Sequence, residues 1–386
     1  MAKKITIRVN RPDGSFLKEW SNAKFIGFTK QLNAGLGSCM IELGEQMDYS
    51  GNDLSLNNEV QVLISDKDTI GEDDRQKLIY SGYISSYVPW IDGKREGIYV
   101  YLLGYYTKLS QDIWKNGTTT TFDYNSIGAT DIGTVVKSVM DRYIAEITDG
   151  RLGYTEETIK ITSTTTTFKF ELLTYREAID TLKNMALAGW FWYVDELGLV
   201  YFKSKPTTAT HEFVLGKHFN KVRVERSIEK VKNIVYFYND TPDPKLLKKY
   251  SDVSSIADYG ERAVKVVNSR VQTADADKIA DGFIDDYKVP HIKVIAEILD
   301  NNEDTNFGYD IESINPGDTC TFFGFDESLA DIFKENMLIS CVEYNLDRAT
   351  ITIEPLEAGI IKRTEDINAR VDSLERGDSL PTDYTT

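Results

Sequence analysis

The sequence is poor in the residues that build compact reactive centres. It has 3 cysteines, Cys39, Cys320 and Cys341, far apart and without a CxxC pair. An odd, scattered count excludes a disulfide framework and the ligand spacing of a structural zinc site. The 3 histidines, His211, His218 and His291, show no i,i+4 pairing and no HExxH motif. No GxSxG elbow occurs, and the glycines around Gly35 lack the Lys-Ser/Thr of a phosphate-binding loop. No acid/base pair is marked out by spacing among the many carboxylates. The acidic stretches at Gly71–Asp74 and Asp300–Asn306 do not match a calcium-binding loop and read as solvated turns. No metal, cofactor or catalytic residue is expected. Basic residues are outnumbered 44 to 61, for a net charge of −17. A body that grips nucleic acid concentrates positive charge, and this one does not. No apolar run of about 18 residues exists, so no membrane span is expected. Lys3 and Lys4 precede no apolar segment, so no cleaved export signal is expected either.

Aromatics and turns are what the chain has in quantity. The 22 Tyr and 17 Phe, with frequent Thr, favour strands. At 386 residues the chain has room for two to four domains. Ile5, Ile7 and Val9 alternate and then meet a Pro12-Asp13-Gly14 turn. A strand pair is expected around a Gly35–Gly37 turn. Two long strands follow, joined at Asp92-Gly93. Strands at this density with no helix between them predict an antiparallel barrel or sandwich over residues 1–115.

Residues 116–205 change pattern. Ile132, Val135, Val136, Val139 and Tyr143 have helical spacing behind Asp131, an N-cap candidate. Thr174 and Glu177 form a T-x-x-E capping box ahead of a second helix whose expected stop is Gly189. Trp190 to Val194 then reads as a strand apolar on both faces, returning through a turn at Asp195–Gly198. Such a strand is a core strand; its alternative use is stacking sugars on Trp190 and Trp192. Two helices and a few strands make an α+β insertion.

After a polar linker at Pro206–Thr210, β-pattern resumes over 206–357. A helical insertion lies around 250–300, with a short helix ending at Gly260 and another predicted over Thr273–Tyr287 ahead of Pro290. In the final segment, 358–386, Ile360, Thr364, Ile367, Val371 and Leu374 are spaced four, three, four, three. That is a two-heptad a/d stripe, too short to stand alone but able to zip copies already held together. It equally fits a terminal helix packed on its own domain.

The order of elements resembles the tail hub (baseplate hub) family of tailed bacteriophages and contractile injection systems. The segments that carry the resemblance are "LIYSGYISSYVPWIDGKREGIYVYLLGYYTKLSQDIW", "TYREAIDTLKNMALAGWFWYVDELGLVYF", "SSIADYGERAVKV" with the helix after it, and "INPGDTCTFFG" with "MLISCVEYNLDRATITIE". The resemblance implies a mainly β fold with an α+β insertion: two tube-type antiparallel β-barrel domains interrupted by α/β insertions, and a short C-terminal coiled-coil helix. It implies a structural virion protein, not an enzyme. Three copies would form a homotrimer at the distal end of the tail, assembled in the host cytoplasm, whose six barrels match a sixfold tube. The implied partners are the distal tail or tail tube protein ring, the tape measure protein and a tip, central fibre or spike protein. DNA would pass through the lumen without specific binding, and a lumen sharing the chain's negative charge would repel it. Ile360, Thr364, Ile367, Val371 and Leu374 would serve oligomerisation. The alternative reading is a carbohydrate-binding or polysaccharide-degrading β-rich tail or secreted protein.

Overall fold

The computed structural model describes residues 3–21, 23–44, 48–65, 76–93, 95–114, 125–147, 151–170, 173–186, 189–239, 246–267, 277, 280–281, 283–285, 287–300, 309–325 and 336–354. The first unit is a run of strands: β1 (Lys4–Asn10), β2 (Phe16–Trp20), β3 (Lys24–Gln31), β4 (Ala34–Gly44), β5 (Glu59–Ser65), β6 (Lys77–Asp92) and β7 (Arg95–Gly104). Alternation sets their inner face. Ile7, Val9, Val60, Val62, Val100 and Leu102 are all fully buried. Neighbouring strands are antiparallel, in the order β2-β1-β5-β6-β7-β4-β3.

The insertion holds β8 (Asn125–Asp131), α1 (Ile132–Glu146), β9 (Thr165–Phe170), α2 (Tyr175–Met185), β10 (Trp190–Val194) and β11 (Val200–Ser204). Asp131 caps α1, accepting from the N–H groups of Gly133 and Thr134. The capping box of α2 is complete: Glu177 N–H donates to Thr174 Oγ1 at 3.2 Å, and Thr174 N–H donates to Glu177 Oε2 at 2.9 Å. The helix ends at Met185, earlier than Gly189. Gly189, at φ +82°, instead opens β10. Val135, Val139, Ile179, Leu182, Trp192 and Phe202 share one core, which also takes in Tyr105, Leu109 and Trp114.

The second unit comprises β12 (His211–Val214), β13 (Phe219–Ser227), β17 (His291–Leu299), β18 (Thr319–Phe323), β19 (Met337–Tyr344) and β20 (Arg348–Ile353). Between β13 and β17 stands a small sheet of β14 (Ile234–Asn239), β15 (Leu246–Ser251) and β16 (Ala263–Val267), with α3 (Val253–Tyr259) before β16. Gly260 stops α3 at φ +74°. Helical residues within 277–287 place Ala280, Phe283, Ile284 and Tyr287 against Val235 and Phe237.

The two units repeat one strand order. Leaving β2 aside, the first runs β1-β5-β6-β7-β4-β3 and the second β12-β18-β19-β20-β17-β13. By position along the chain, both are first, fourth, fifth, sixth, third, second. The correspondence extends to irregularities. The β6–β7 ladder slips at Ser85 and the β19–β20 ladder slips at Ser340. Both serines donate across their slip, Ser85 to Tyr101 O at 3.0 Å and Ser340 to Thr352 O at 2.9 Å. One difference is that β12 runs parallel to β18, where β1 runs antiparallel to β5.

The expected turn at Gly35–Gly37 is displaced. The β3–β4 hairpin turns at Leu32–Asn33, with Asn33 at φ +56°, and both glycines lie inside β4. Gly35 is there for close approach: at φ +151°, a Cβ on it would sit 2.7 Å from Val194 O.

Candidate assembly surface

The two units meet along a strand seam. β3 pairs antiparallel with β19, placing Phe28 opposite Tyr344, Thr29 opposite Glu343, Lys30 opposite Val342 and Gln31 opposite Cys341. The Phe28 ring lies 5.0 Å from that of Tyr344 and 5.3 Å from that of Tyr80. Phe25 packs 6.0 Å from Phe28. The core is therefore common to both units, running from Ile7, Val60 and Leu102 to Val294, Ile339 and Ile351.

Polar groups at the seam are paired. Lys30, 7% exposed, donates to Asn315 Oδ1 at 2.9 Å and lies 3.7 Å from Glu196 on the β10–β11 turn. It thus touches the first unit, the insertion and the second unit together. Burial lowers its pKa. Lys3 pairs with Asp300 at 2.6 Å and with Glu312. Lys77 pairs with Asp310 at 2.9 Å, and the Tyr344 hydroxyl donates to Glu312 at 2.8 Å. Burial pushes Glu312 up. Burial also pushes Asp310 up, but its hydrogen bonds with Glu312 and Lys77 outweigh that and hold it at about 2. These groups enclose a small cavity between Phe28, Lys30, Lys77, Glu312 and Tyr344.

The insertion is clamped to the same place. Asn33 N–H donates to Trp192 O at 2.7 Å, and β10 pairs in parallel with β4 at Ala34 and Gly35. Phe191 and Tyr193 pack on Leu32 and Leu338, while Trp190 and Trp192 face the insertion core. Both faces of β10 are thus used internally. Trp192 is fully buried and its Nε1–H donates to Asp180 Oδ1 at 2.7 Å. Trp190 is 9% exposed. Neither ring can stack a sugar, so the reading of Trp190 and Trp192 as a carbohydrate platform is corrected.

Among the described residues, two of the open strand edges belong to β13 and to the far half of β6. β13 is paired only with β17 along its length, apart from a single bridge at Phe219, and Arg223 and Arg226 on it are exposed. β6 loses its partner β5 after Tyr83, keeps backbone bonds from Ile84 to Asn57 and Asn58, and continues from Ser85 to Asp92 with β7 as its one strand partner. Tyr87, Val88 and Ile91 on that stretch are 44%, 49% and 77% exposed. The signal for this edge was in the sequence as a length mismatch, 16 residues in β6 against 7 in β5, but length alone does not say which side lacks a partner.

The remaining sequence-named residues fall as follows. Ile360, Thr364, Ile367, Val371 and Leu374 lie outside the described residues, as do Gly71–Asp74. Asp300 is engaged by Lys3. His211 Nε2 meets Asp318 Oδ2 at 3.1 Å, with Nδ1 at 2.5 Å from the Tyr309 hydroxyl. His218 Nδ1 accepts from Val214 N–H. Among the described residues no three His, Cys, Asp or Glu side chains come together as a metal set. Cys39 and Cys320 are buried, and burial pushes both thiols well up. Among the described residues no helix is long and apolar enough to cross a membrane.

No protein-family model matches the sequence, and no curated protein matches it significantly. Solved structures do. The 43 kDa tail protein of prophage MuSo2 from Shewanella oneidensis superposes with a TM-score of 0.63 at 15% identity, over 92% of this chain and 99% of that one. A tail protein from Neisseria meningitidis gives 0.63 at 12% identity, over 93% and 98%. Prophage tail protein gp18 from Listeria monocytogenes gives 0.59 at 8% identity, over 96% and 99%. The chain has the fold of a phage tail protein. It shares that fold, mainly β with an α+β insertion, with each of the three over more than nine tenths of its length.

Proposed function

We propose that this chain is a homotrimeric tail hub at the distal end of a tail tube, a structural component of the virion. Three copies present six β units, so a threefold ring matches a sixfold tube above and a threefold tip below. The observation that carries this reading is the repeated strand order within one chain, fused through β3–β19 into a shared sheet and core. Two equivalent units at a fixed angle supply one third of such a ring. On this reading the chain divides into a first barrel (1–115), an insertion (116–205), a second barrel (206–357) and a terminal segment (358–386). The hub would contact the tube ring and tape measure protein on one side and the tip or spike on the other, with DNA passing through an acidic lumen. The stripe Ile360, Thr364, Ile367, Val371 and Leu374 would close three copies at the axis.

Size-exclusion chromatography with light scattering tests the reading. The full chain is expected to read as three copies, and deletion of 360–374 is expected to shift it toward monomer. A chain that stays monomeric at high concentration and when mixed with its tube ring contradicts the proposal.

A further inference from the structure

We infer that the free edge of β13 in one copy pairs antiparallel with residues 86–89 of β6 in a second copy, reproducing between copies the seam that β3 and β19 form within one. This rests on the ring reading above and names the strands that would join it.

The inference comes from strand equivalence. Matching the two strand orders makes β3 the counterpart of β13, and β19 the counterpart of β6. The seam within the chain joins the counterpart of β13 to the counterpart of β6. Both true strands, β13 and the far half of β6, are open on the corresponding side. A ring made by repeating one junction needs that pairing, because the contact is head to tail and each copy offers both halves of it.

Residue rows fix the register. In the first unit Ile84, Leu102, Cys39 and Phe28 lie in one row across β6, β7, β4 and β3. In the second, Ile339, Ile353, Val294 and Val224 form the matching row. Ile84 and Ile339 each stand one residue before the slipped serine. The first row continues from Phe28 to Tyr344, four residues after Ser340. The second row ends at Val224. Its continuation is four residues after Ser85, which is Pro89 of the next copy. Glu225 then faces Val88, Arg226 faces Tyr87 and Ser227 faces Ser86.

The chemistry suits the match. Before its slip β19 gives up β18, with which it pairs at Met337 and Leu338, and after the slip it takes β3 at Cys341 to Tyr344. β6 gives up β5 before its own slip and, among the described residues, takes no other strand on that side. Directly opposed, the exposed Arg226 guanidinium can lie over the exposed Tyr87 ring. Pro89 has no N–H to donate and marks where the ladder stops. Pairing also covers two edges that would otherwise invite uncontrolled association.

Paired cysteines test the register on the full chain. Tyr87→Cys with Arg226→Cys, and Val88→Cys with Glu225→Cys, place thiols on adjacent rows, one of them the close non-hydrogen-bonded kind. All four positions are at least partly exposed, so folding is expected to survive. Under mild oxidation at least one double variant should give covalent dimer and trimer, with the ladder ending at three. Mixing the two single variants of that pair should give dimer only, and each single variant alone should stay uncross-linked at the new site. Absence of cross-link in both pairs overturns the pairing. Light scattering on the same samples separates the two claims: three copies without a cross-link sinks the register alone, and a single copy sinks the ring as well.

Discussion

Phe28→Ala tests whether the two β units are one cooperative body. Phe28 is 4% exposed and packs on Phe25, Tyr80 and Tyr344 across the seam. Truncating a buried Phe costs about 3–5 kcal/mol, from lost transfer energy plus the cavity left behind. At about 1.4 kcal/mol per factor of ten, that raises opening by roughly two to nearly four powers of ten. Hydrogen-exchange mass spectrometry reads it strand by strand. Because the core is continuous, protection should fall on both sides of the seam, in β4 and β7 and equally in β17 and β20. If exchange rises only within residues 24–104 and leaves 291–353 unchanged, the units are separate bodies that merely touch. The core would then not be shared between them.

Three further outcomes are expected. Gly35→Ala should cost about 1–3 kcal/mol, since it forces a side chain at φ +151° into Val194 O, and the loss should concentrate at β10 in hydrogen exchange; an unchanged melting temperature would mean the β4–β10 contact is loose. Trp192→Phe should cost about 1–3 kcal/mol in urea titration by removing the Nε1–H donated to Asp180, whose carboxylate keeps Arg176 at 3.7 Å; an unchanged urea midpoint would mean that this bond adds nothing to stability. Asp310 is held below its ordinary 3.8 at about 2, so its contribution to stability is present above pH 3.8 and is lost as pH falls through 2; Asp310→Asn should therefore flatten acid unfolding in that window, and an unaltered acid limb would remove Asp310 from the account.

Much of the chain was legible from local pattern. The alternation of Ile5, Ile7 and Val9, the Asp131 cap, the Thr174–Glu177 box and the Gly260 stop are short-range effects, and each formed as read. The displaced features have tertiary causes. Gly35 and Gly37 looked like a turn because glycine permits one, yet Gly35 is needed for contact with Val194, far away in sequence. Gly189 looked like a helix stop, but the chain leaves α2 at Met185 to reach β10. The seam was not legible at all. Residues 28–31 and 341–344 carry no mutual signature, and their pairing emerges only when both units are folded. The proposed assembly residues at 360–374 are a pattern whose placement lies outside the described chain.

Electron microscopy of the purified ring, or of a particle carrying this chain with a tag, tests the central claim most directly. Three copies should enclose one pore bordered by six similar β lobes, with β3–β19 junctions alternating with junctions between copies. A particle in which each copy contributes one lobe to the pore, or in which the two units do not curve about a common axis, would contradict the account.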